Sequence, residues 1–469
     1  MLDQSTLAEL ARIVGKENLL TSREDLVCYG FDATPRLGEL PEAVAKPGST
    51  EEVSQILQLA NRVGFKVIPR GAGTNLSGGS VPIQGGLVVQ LNRMNRILEI
   101  DTENLTALVE PGVITSDLHA AVEALGLFYP PDPGSMTVST LGGNVAENAG
   151  GLRGLKYGVT RDYVMGLEVV LPSGEVITTG GKTVKNVTGY DLTKLMVGSE
   201  GTLGIITKIL VRLIPKPEAK KTFLVYYRSL NDAAETVSSI ISNRVIPPTL
   251  EFLDNVTIRC VEQYIHAGLP LDMEAMLLIE VDGPRSVVEE DAAKVMQVCR
   301  EHNAVEIQVS ETPEDSLRLA MGRRSALPAV ARLKPTMVLE DATVPRSQVA
   351  AMVRRIQQIA EKYGLLIATY GHAGDGNLHP TIVCDERDHE QMELVEKAVD
   401  EIFRAALELG GTLSGEHGIG LSKAAYMPME MKDAGMKATI AIKRALDPNN
   451  VLNPGKMYID EYTGLRTGD

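Results

Sequence analysis

Two short stretches concentrate the side chains that could do chemistry. "HAGDGNLH", residues 372–379, sets two histidines around Asp375-Gly376, a strong turn signal, with apolar β-type runs on either side. On one continuous strand their spacing would point His372 and His379 to opposite faces, but a chain reversal between them brings both imidazoles to one rim. "GEHGIG", residues 415–420, follows a helical pattern and adds Glu416 and His417 in a second glycine loop. Two histidines and a carboxylate, with no fourth protein ligand evident, suit one catalytic divalent metal that keeps positions for substrate. Zinc is the first choice, then manganese or ferrous iron. The competing reading of any single histidine is a hydrogen-bonded surface or core group. It is kept for His119, His266, His302 and His389, which lie in helical or charged surroundings.

The first half of the chain carries a different signal. "RGAGTNLSGGSVP", residues 70–82, places four glycines after the apolar run Phe65 to Ile68. A Rossmann turn would need a third glycine at position 76 and a helix to follow. Leu76 stands there instead, and Ser77, Gly78, Gly79 and Pro82 forbid a continuous helix. What remains is bare backbone able to curl around a phosphate. The rigid segment Pro130 to Pro133 then precedes paired glycines at 142/143 and 150/151, and "VGSEGTLGIIT", residues 197–207, repeats the theme. One such loop is a weak signal. Three beside strands point to an extended cofactor cleft.

The elements that must position these loops fall into regimes. Residues 1–40 open with a helical pattern, Leu7, Leu10, Ala11 and Val14, that Ser5 could cap. From 41 to 215 short β-rich runs alternate with glycine clusters, reading as an α+β domain. "PKPEAKK" at 215–221 breaks both periodicities and marks a boundary. Residues 216–425 alternate strand and helix patterns, as in a ferredoxin-like layer that forms a substrate, or cap, domain. Residues 426–469 read as a helical segment that returns to the first domain.

Composition sets the remaining limits. With 469 residues and a formal charge of −15, the chain is long enough for two or three domains and disfavours nucleic acid as a partner. Cys28, Cys260, Cys299 and Cys384 have no metal-ligand spacing and read as small buried groups. No apolar run reaches the length of a transmembrane segment and no leader pattern opens the chain, so the expected location is cytoplasmic, peripheral to a membrane only through a partner.

The three glycine stretches, in this order, resemble the FAD-binding domain of the vanillyl-alcohol oxidase/p-cresol methylhydroxylase (PCMH) superfamily. The resemblance implies a PCMH-type domain in which Arg70, Gly71, Ala72, Gly73, Thr74, Asn75 and Gly78 hold the FAD pyrophosphate, with Pro69 beside them. Pro131, Gly134, Ser135, Gly142, Gly143, Asn144, Asn148 and Gly151 would line the isoalloxazine and ribityl chain, joined by Asp132 and Thr140. Glu200, Gly201 and Ile206 would line the remainder. No histidine lies between 69 and 118, where covalent members carry an attachment residue, so the expected FAD is non-covalent.

"HAGDGNLH" followed by "GEHGIG" is similar to the carboxy-terminal domain of the FAD-linked D-2-hydroxy acid dehydrogenases. That likeness implies His372, His379 and Glu416 as metal ligands, His417 as catalytic base, and an arginine in "AMGRRSALPA", Arg323 before Arg324, on the substrate carboxylate. Relatives often carry a tryptophan where Ala320 stands. The expected reaction takes a D-2-hydroxy acid, D-lactate or glycolate first, to the 2-oxo acid, with hydride passing to flavin N5. Since no second redox centre is legible, the electrons go to an external acceptor: an iron–sulfur subunit, an electron-transfer flavoprotein or a quinone. A homodimer is compatible with the sequence. The competing class is a silent flavoprotein relay subunit, which would be expected to lack the histidines this chain retains.

Overall fold

The computed structural model describes residues 2–457. Within them the chain forms two compact units, the first from the amino terminus to Gly150, Val159–Lys216 and from Glu416 onward, the second Gly151–Gly158 and Pro217–Gly415. Both mix helices with sheets, the α+β class expected.

In the first unit, a four-stranded sheet runs Leu19–Leu20, Ala43–Ala45, Leu87–Gln90, Val67–Arg70, with the last three strands parallel. The parallel strands are almost entirely buried, as covered parallel sheets require. The intervening helix Thr50–Val63 starts on Ser49, whose hydroxyl accepts from Glu52 N at 3.2 Å, and ends on left-handed Gly64. A second, antiparallel sheet orders Ile97–Asp101, Thr106–Val109, Ile205–Arg212, Val164–Val170 and Val176–Gly180. The opening helix Gln4–Val14 is capped by Asp3, which accepts from Thr6 N at 2.7 Å. Ser5 instead donates to the Asp3 carboxylate, because the turn begins two residues earlier than its apolar pattern suggests. Leu10 and Val14 seal one core cluster of this unit with Val53, Ile56 and Leu57.

Residues 416–425, read in sequence with the second domain, group with the first unit. Ile419 N and Gly420 N donate to Glu200 at 2.7 and 2.6 Å, and Leu421 N and Ser422 N to the Ser77 carbonyl at 2.7 and 3.0 Å. The helix Met427–Leu446 follows in the same unit, and the remainder of the expected carboxy-terminal segment, 458–469, lies outside the described residues.

The second unit is built on one antiparallel sheet in the order Glu306–Val309, Ala219–Tyr227, Ala275–Gly283, Thr249–Asp254, Leu366–His372, Asn377–Cys384, Thr336–Leu339, with Ala342–Thr343 also pairing onto Asn377–Cys384. Its first four strands have the order fourth, first, third, second along the chain, the strand order of a ferredoxin-like layer, with the helix Asn255–Ile265 inserted between the second and third. Strands Thr249–Asp254 and Leu366–His372 join that half to the rest, Leu253 facing Tyr370. Helices Asn255–Ile265, Pro313–Arg324 and Ala326–Ala331 share an apolar cluster with Leu253, Ala368 and Tyr370 on one sheet face. Residues 151–158 belong to this unit, where Lys156 pairs with Asp282 and Tyr157 donates to it at 2.8 Å. Cys260, Cys299 and Cys384 are buried, whereas Cys28 is exposed at the end of the short surface helix Arg23–Val27.

Candidate active site

The second unit brings the two histidines of "HAGDGNLH" together through a hairpin. Strands Leu366–His372 and Asn377–Cys384 pair so that His372 opposes Asn377 and Tyr370 opposes His379. Opposed and alternate residues share a face, so all four side chains lie on one side of the sheet. The imidazole centroids of His372 and His379 are 5.1 Å apart with rings at 88°, and both residues are buried. The reversal depends on Gly376, whose φ is +90° and where a Cβ would lie 2.0 Å from the Val344 carbonyl oxygen. Asp341 stands beside the pair, with a carboxylate oxygen 3.8 Å from His379 Nδ1 and the other accepting from Ser414 Oγ at 2.7 Å. Adjacent buried imidazoles with a carboxylate alongside are a donor set that fits a divalent transition metal.

Glu251 links this hairpin to the arginine. Its strand, Thr249–Asp254, is buried along its whole length, and Glu251 itself is 0% exposed. One carboxylate oxygen accepts from His372 Nδ1 at 2.7 Å and the other from Arg323 Nε at 2.6 Å. Burial pushes this carboxyl up, but its interactions and hydrogen bonds with His372 and Arg323 outweigh it and hold Glu251 below its usual range. Arg323 lies in the last turn of the helix Pro313–Arg324, which Thr312 and Asp315 start with a capping box. The guanidinium lies 5.0 Å from the centre of the Tyr370 ring. Arg324, the alternative arginine, is exposed, and Ala320 is buried in the apolar cluster beneath the helix. Neither Glu251, Asp341 nor Tyr370 was singled out by spacing. Glu251 alone left a trace, a charge inside the otherwise apolar run "LEFL".

In the first unit the three glycine loops meet. A Cβ on Gly71 would lie 2.4 Å from Thr140 Oγ1 and 3.6 Å from Gly143 N, and one on Gly201 would lie 2.5 Å from Pro69 Cγ. Gly198 N and Glu200 N donate to the carbonyls of Val145 and Ala146 at 2.9 and 2.8 Å. Thr140 caps the short helix Leu141–Glu147, Asn144 donates to Thr115 Oγ1 at 2.8 Å, and Asn148 accepts from Arg161 N at 2.9 Å. Arg70 is turned inward, donating to the Phe31 carbonyl at 2.7 Å, and Asn75 donates to Asp32 at 2.6 Å. Both side chains therefore brace the loop. Ile206 and Asp132 are buried, Gly134 is exposed, and Gly151 groups with the second unit.

Glu416 and His417 follow Ser414 by two and three residues and open the returning segment of the first unit. A Cβ on Gly150 would lie 2.5 Å from Glu416 Oε2, and one on Gly418 would lie 2.2 Å from Glu147 Oε2 and 3.2 Å from Glu200 Oε1. The loop bearing His417 is thus packed onto the second and third glycine loops. Burial pushes Glu147 well above the ordinary carboxylate range, Glu200 and Asp32 reinforcing it, and burial raises Glu200 as well. Glu147 Oε2 is buried without a hydrogen-bond partner. A junction of bare backbone allows the close approach of a flat ligand.

Comparison with known proteins identifies the family of each half of the chain. Residues 41–180 match the family described as FAD binding domain, and residues 216–457 match FAD linked oxidases, C-terminal domain. The chain is similar to the glycolate oxidase subunit GlcD of Bacillus subtilis strain 168, 55% identical over 98% of this chain and 97% of that protein. It is also similar to a D-lactate dehydrogenase of Anaerostipes hadrus, 37% identical over 89% of each chain. Among solved structures, p-cresol methylhydroxylase with substrate bound shares the fold, with a TM-score of 0.79 at 20% identity over 96% of each chain.

Proposed function

Since this chain belongs to the FAD-linked oxidases, and within them resembles the D-2-hydroxy acid dehydrogenases, we propose that it oxidises glycolate or D-lactate to the corresponding 2-oxo acid. The observation that carries this reading is buried Glu251 holding both His372 and Arg323, with His379 beside His372, in a chain that also has an FAD-binding domain. An anion-holding arginine beside adjacent imidazoles suits a small acid that bears a second oxygen ligand next to its carboxylate.

The chain's own groups divide the work. Arg323 spends Nε on Glu251, so its two terminal nitrogens are the edge that grips the substrate carboxylate, while Tyr370 restrains the guanidinium plane. His372 and His379, with Glu416, are the proposed holders of a divalent metal, zinc first. Such an ion, when bound, supplies positive charge that acidifies the substrate hydroxyl. His417 takes the hydroxyl proton, imidazole being suited to that transfer near neutral pH. Holding carboxylate and hydroxyl at once presents one face of the α-carbon, which selects D over L. FAD, bound without a covalent link at the glycine loops, supplies the two-electron acceptor for the α-hydride.

The electrons then leave for an external acceptor, an iron–sulfur subunit, an electron-transfer flavoprotein or a quinone. The GlcD relative carries the word subunit in its name, which supports a partner protein. Among the described residues no helix is long and apolar enough to cross a membrane, so attachment to one would run through such a partner.

Anaerobic flavin bleaching tests the proposal. D- and L-lactate, glycolate, D-2-hydroxyglutarate and D-malate are added to the holoprotein before and after chelator treatment. Bleaching by glycolate or D-lactate that fades on chelation and returns with zinc supports it. Flavin that stays oxidised with every acid in metal-replete protein overturns it.

A further inference from the structure

The carboxylate of Glu251 has two oxygens and two donors, and the donors belong to different tasks. Arg323 Nε donates to one oxygen at 2.6 Å and His372 Nδ1 to the other at 2.7 Å. We propose that Glu251 is the positioning residue that sets substrate grip and metal affinity together, by orienting Arg323 and fixing the tautomer of His372 through one carboxylate. This rests on the function proposed above.

With Nδ1 donating to Glu251, the proton of His372 is pinned to that nitrogen, and Nε2 presents the lone pair that a metal needs. The same carboxylate fixes the Arg323 guanidinium at its inner nitrogen. The Tyr370 ring, 5.0 Å away, restrains its plane, leaving the outer edge aimed by two contacts rather than by a flexible stem. Glu251 can hold both because its strand is central and rigid, bonded to Ala275–Gly283 on one side and Leu366–His372 on the other. A salt bridge kept only for stability has no need of a second donor. A shared carboxylate links the two functions because displacing either donor changes the charge seen by the other.

Glutamine is the informative replacement. It preserves size but offers one acceptor and one donor where two donors must be met. If its amide nitrogen faces His372, the ring shifts its proton to Nε2 and loses the metal-facing lone pair. If it faces Arg323, the guanidinium loses its anchor. Either way one function fails directly and the other loses its charge partner.

The experiment compares wild type, Glu251→Gln, Glu251→Asp and Arg323→Ala as FAD-loaded, metal-stripped proteins. Each is titrated with Zn2+ against a chromophoric chelator, then with pyruvate followed by perturbation of the flavin spectrum. The expected result for Glu251→Gln is a zinc affinity about 10–100-fold weaker, as for loss of a carboxylate behind a ligating histidine. Pyruvate binding weakens at least tenfold in the same protein, and Glu251→Asp, which retains two acceptors, recovers part of both. Wild-type values for zinc and pyruvate in Glu251→Gln overturn the inference, as does a loss confined to melting temperature. If Glu251→Gln does not fold, Glu251→Asp decides, since the shorter arm must weaken both bindings. Wild type that binds no zinc, with Arg323→Ala binding pyruvate normally, fails the parent reading instead.

Discussion

His372 and His379 stand edge to face, 5.1 Å between ring centres at 88°, on two strands of one hairpin whose turn is four residues long. The rings meet because alternation along each strand and register across the pair put residue 372 and residue 379 diagonally on the same face. A single metal ion can span that separation, and removing either ring leaves half of the proposed imidazole ligands.

His372→Ala and His379→Ala are each expected to lower bound zinc per folded protein below one-tenth of wild type, with FAD retained. Metal analysis on gel-filtered protein, together with the 280 to 450 nm absorbance ratio, checks this. Stoichiometric zinc in either variant would remove that histidine from the ligand set.

Replacing the proposed base leaves binding intact and removes the proton acceptor. His417→Ala is expected to slow anaerobic flavin reduction about 10²–10⁴-fold, the usual range for a positioned acid or base, while pyruvate affinity changes little. Stopped-flow reduction measured near the wild-type rate would exclude the role.

Arg323→Lys retains the charge and loses the fork and the Nε donor to Glu251. KM for the hydroxy acid is expected to rise about tenfold or more, and Arg323→Ala to do worse, whereas Arg324→Ala, at an exposed position, stays near wild type. Steady-state kinetics with an artificial acceptor distinguishes the three. An Arg324→Ala defect larger than that of Arg323→Ala would reverse the assignment.

Gly376→Ala tests the hairpin itself. The methyl would sit 2.0 Å from the Val344 carbonyl oxygen on a residue with φ of +90°, so the turn must open. The cost expected for such strain is about 1–3 kcal/mol in urea unfolding, with zinc affinity falling as the rings separate. An unchanged midpoint together with unchanged zinc binding would contradict this account of the turn.

Asp254 gives a pH dependence of stability. It caps the helix Asn255–Ile265, accepting from Thr257 N and Thr369 N at 2.8 and 2.9 Å, but burial outweighs those bonds and raises its carboxyl from 3.8 to about 6. Between those values the folded chain keeps a proton that the unfolded chain has released, so this contribution to stability is full below pH 4 and is lost as pH rises through 6. Wild type is expected to lose about 2 kcal/mol more than Asp254→Asn between pH 4 and pH 7. Parallel urea midpoints across that range would sink the assignment.

Much of the site was legible because its residues are local in sequence. "HAGDGNLH" carries its own turn, and the chain reversal that its Asp-Gly step implied is present, with both rings on one face. The glycine loops were visible as bare backbone beside strands, and their mutual packing follows from the absence of side chains at Gly71 and Gly201. Arg70 was expected among the residues that hold the FAD pyrophosphate, and its side chain donates to the Phe31 carbonyl. A guanidinium can satisfy a distant backbone group that no spacing rule reveals.

Composition, turn chemistry and glycine spacing thus determined the α+β class, a cofactor cleft in the first half and the histidine pair, since each is written within a few neighbouring residues, while FAD itself came from the family resemblance. Tertiary structure decided what required distant segments to meet. Glu251 lies 72 residues from Arg323 and 121 from His372, and only the pairing of Thr249–Asp254 with Leu366–His372, under the helix whose last turn carries Arg323, brings one carboxylate to both. A buried charge is costly unless its partners arrive with it. Which partners arrive is set by strand order and register, not by the residues on either side of it in the chain.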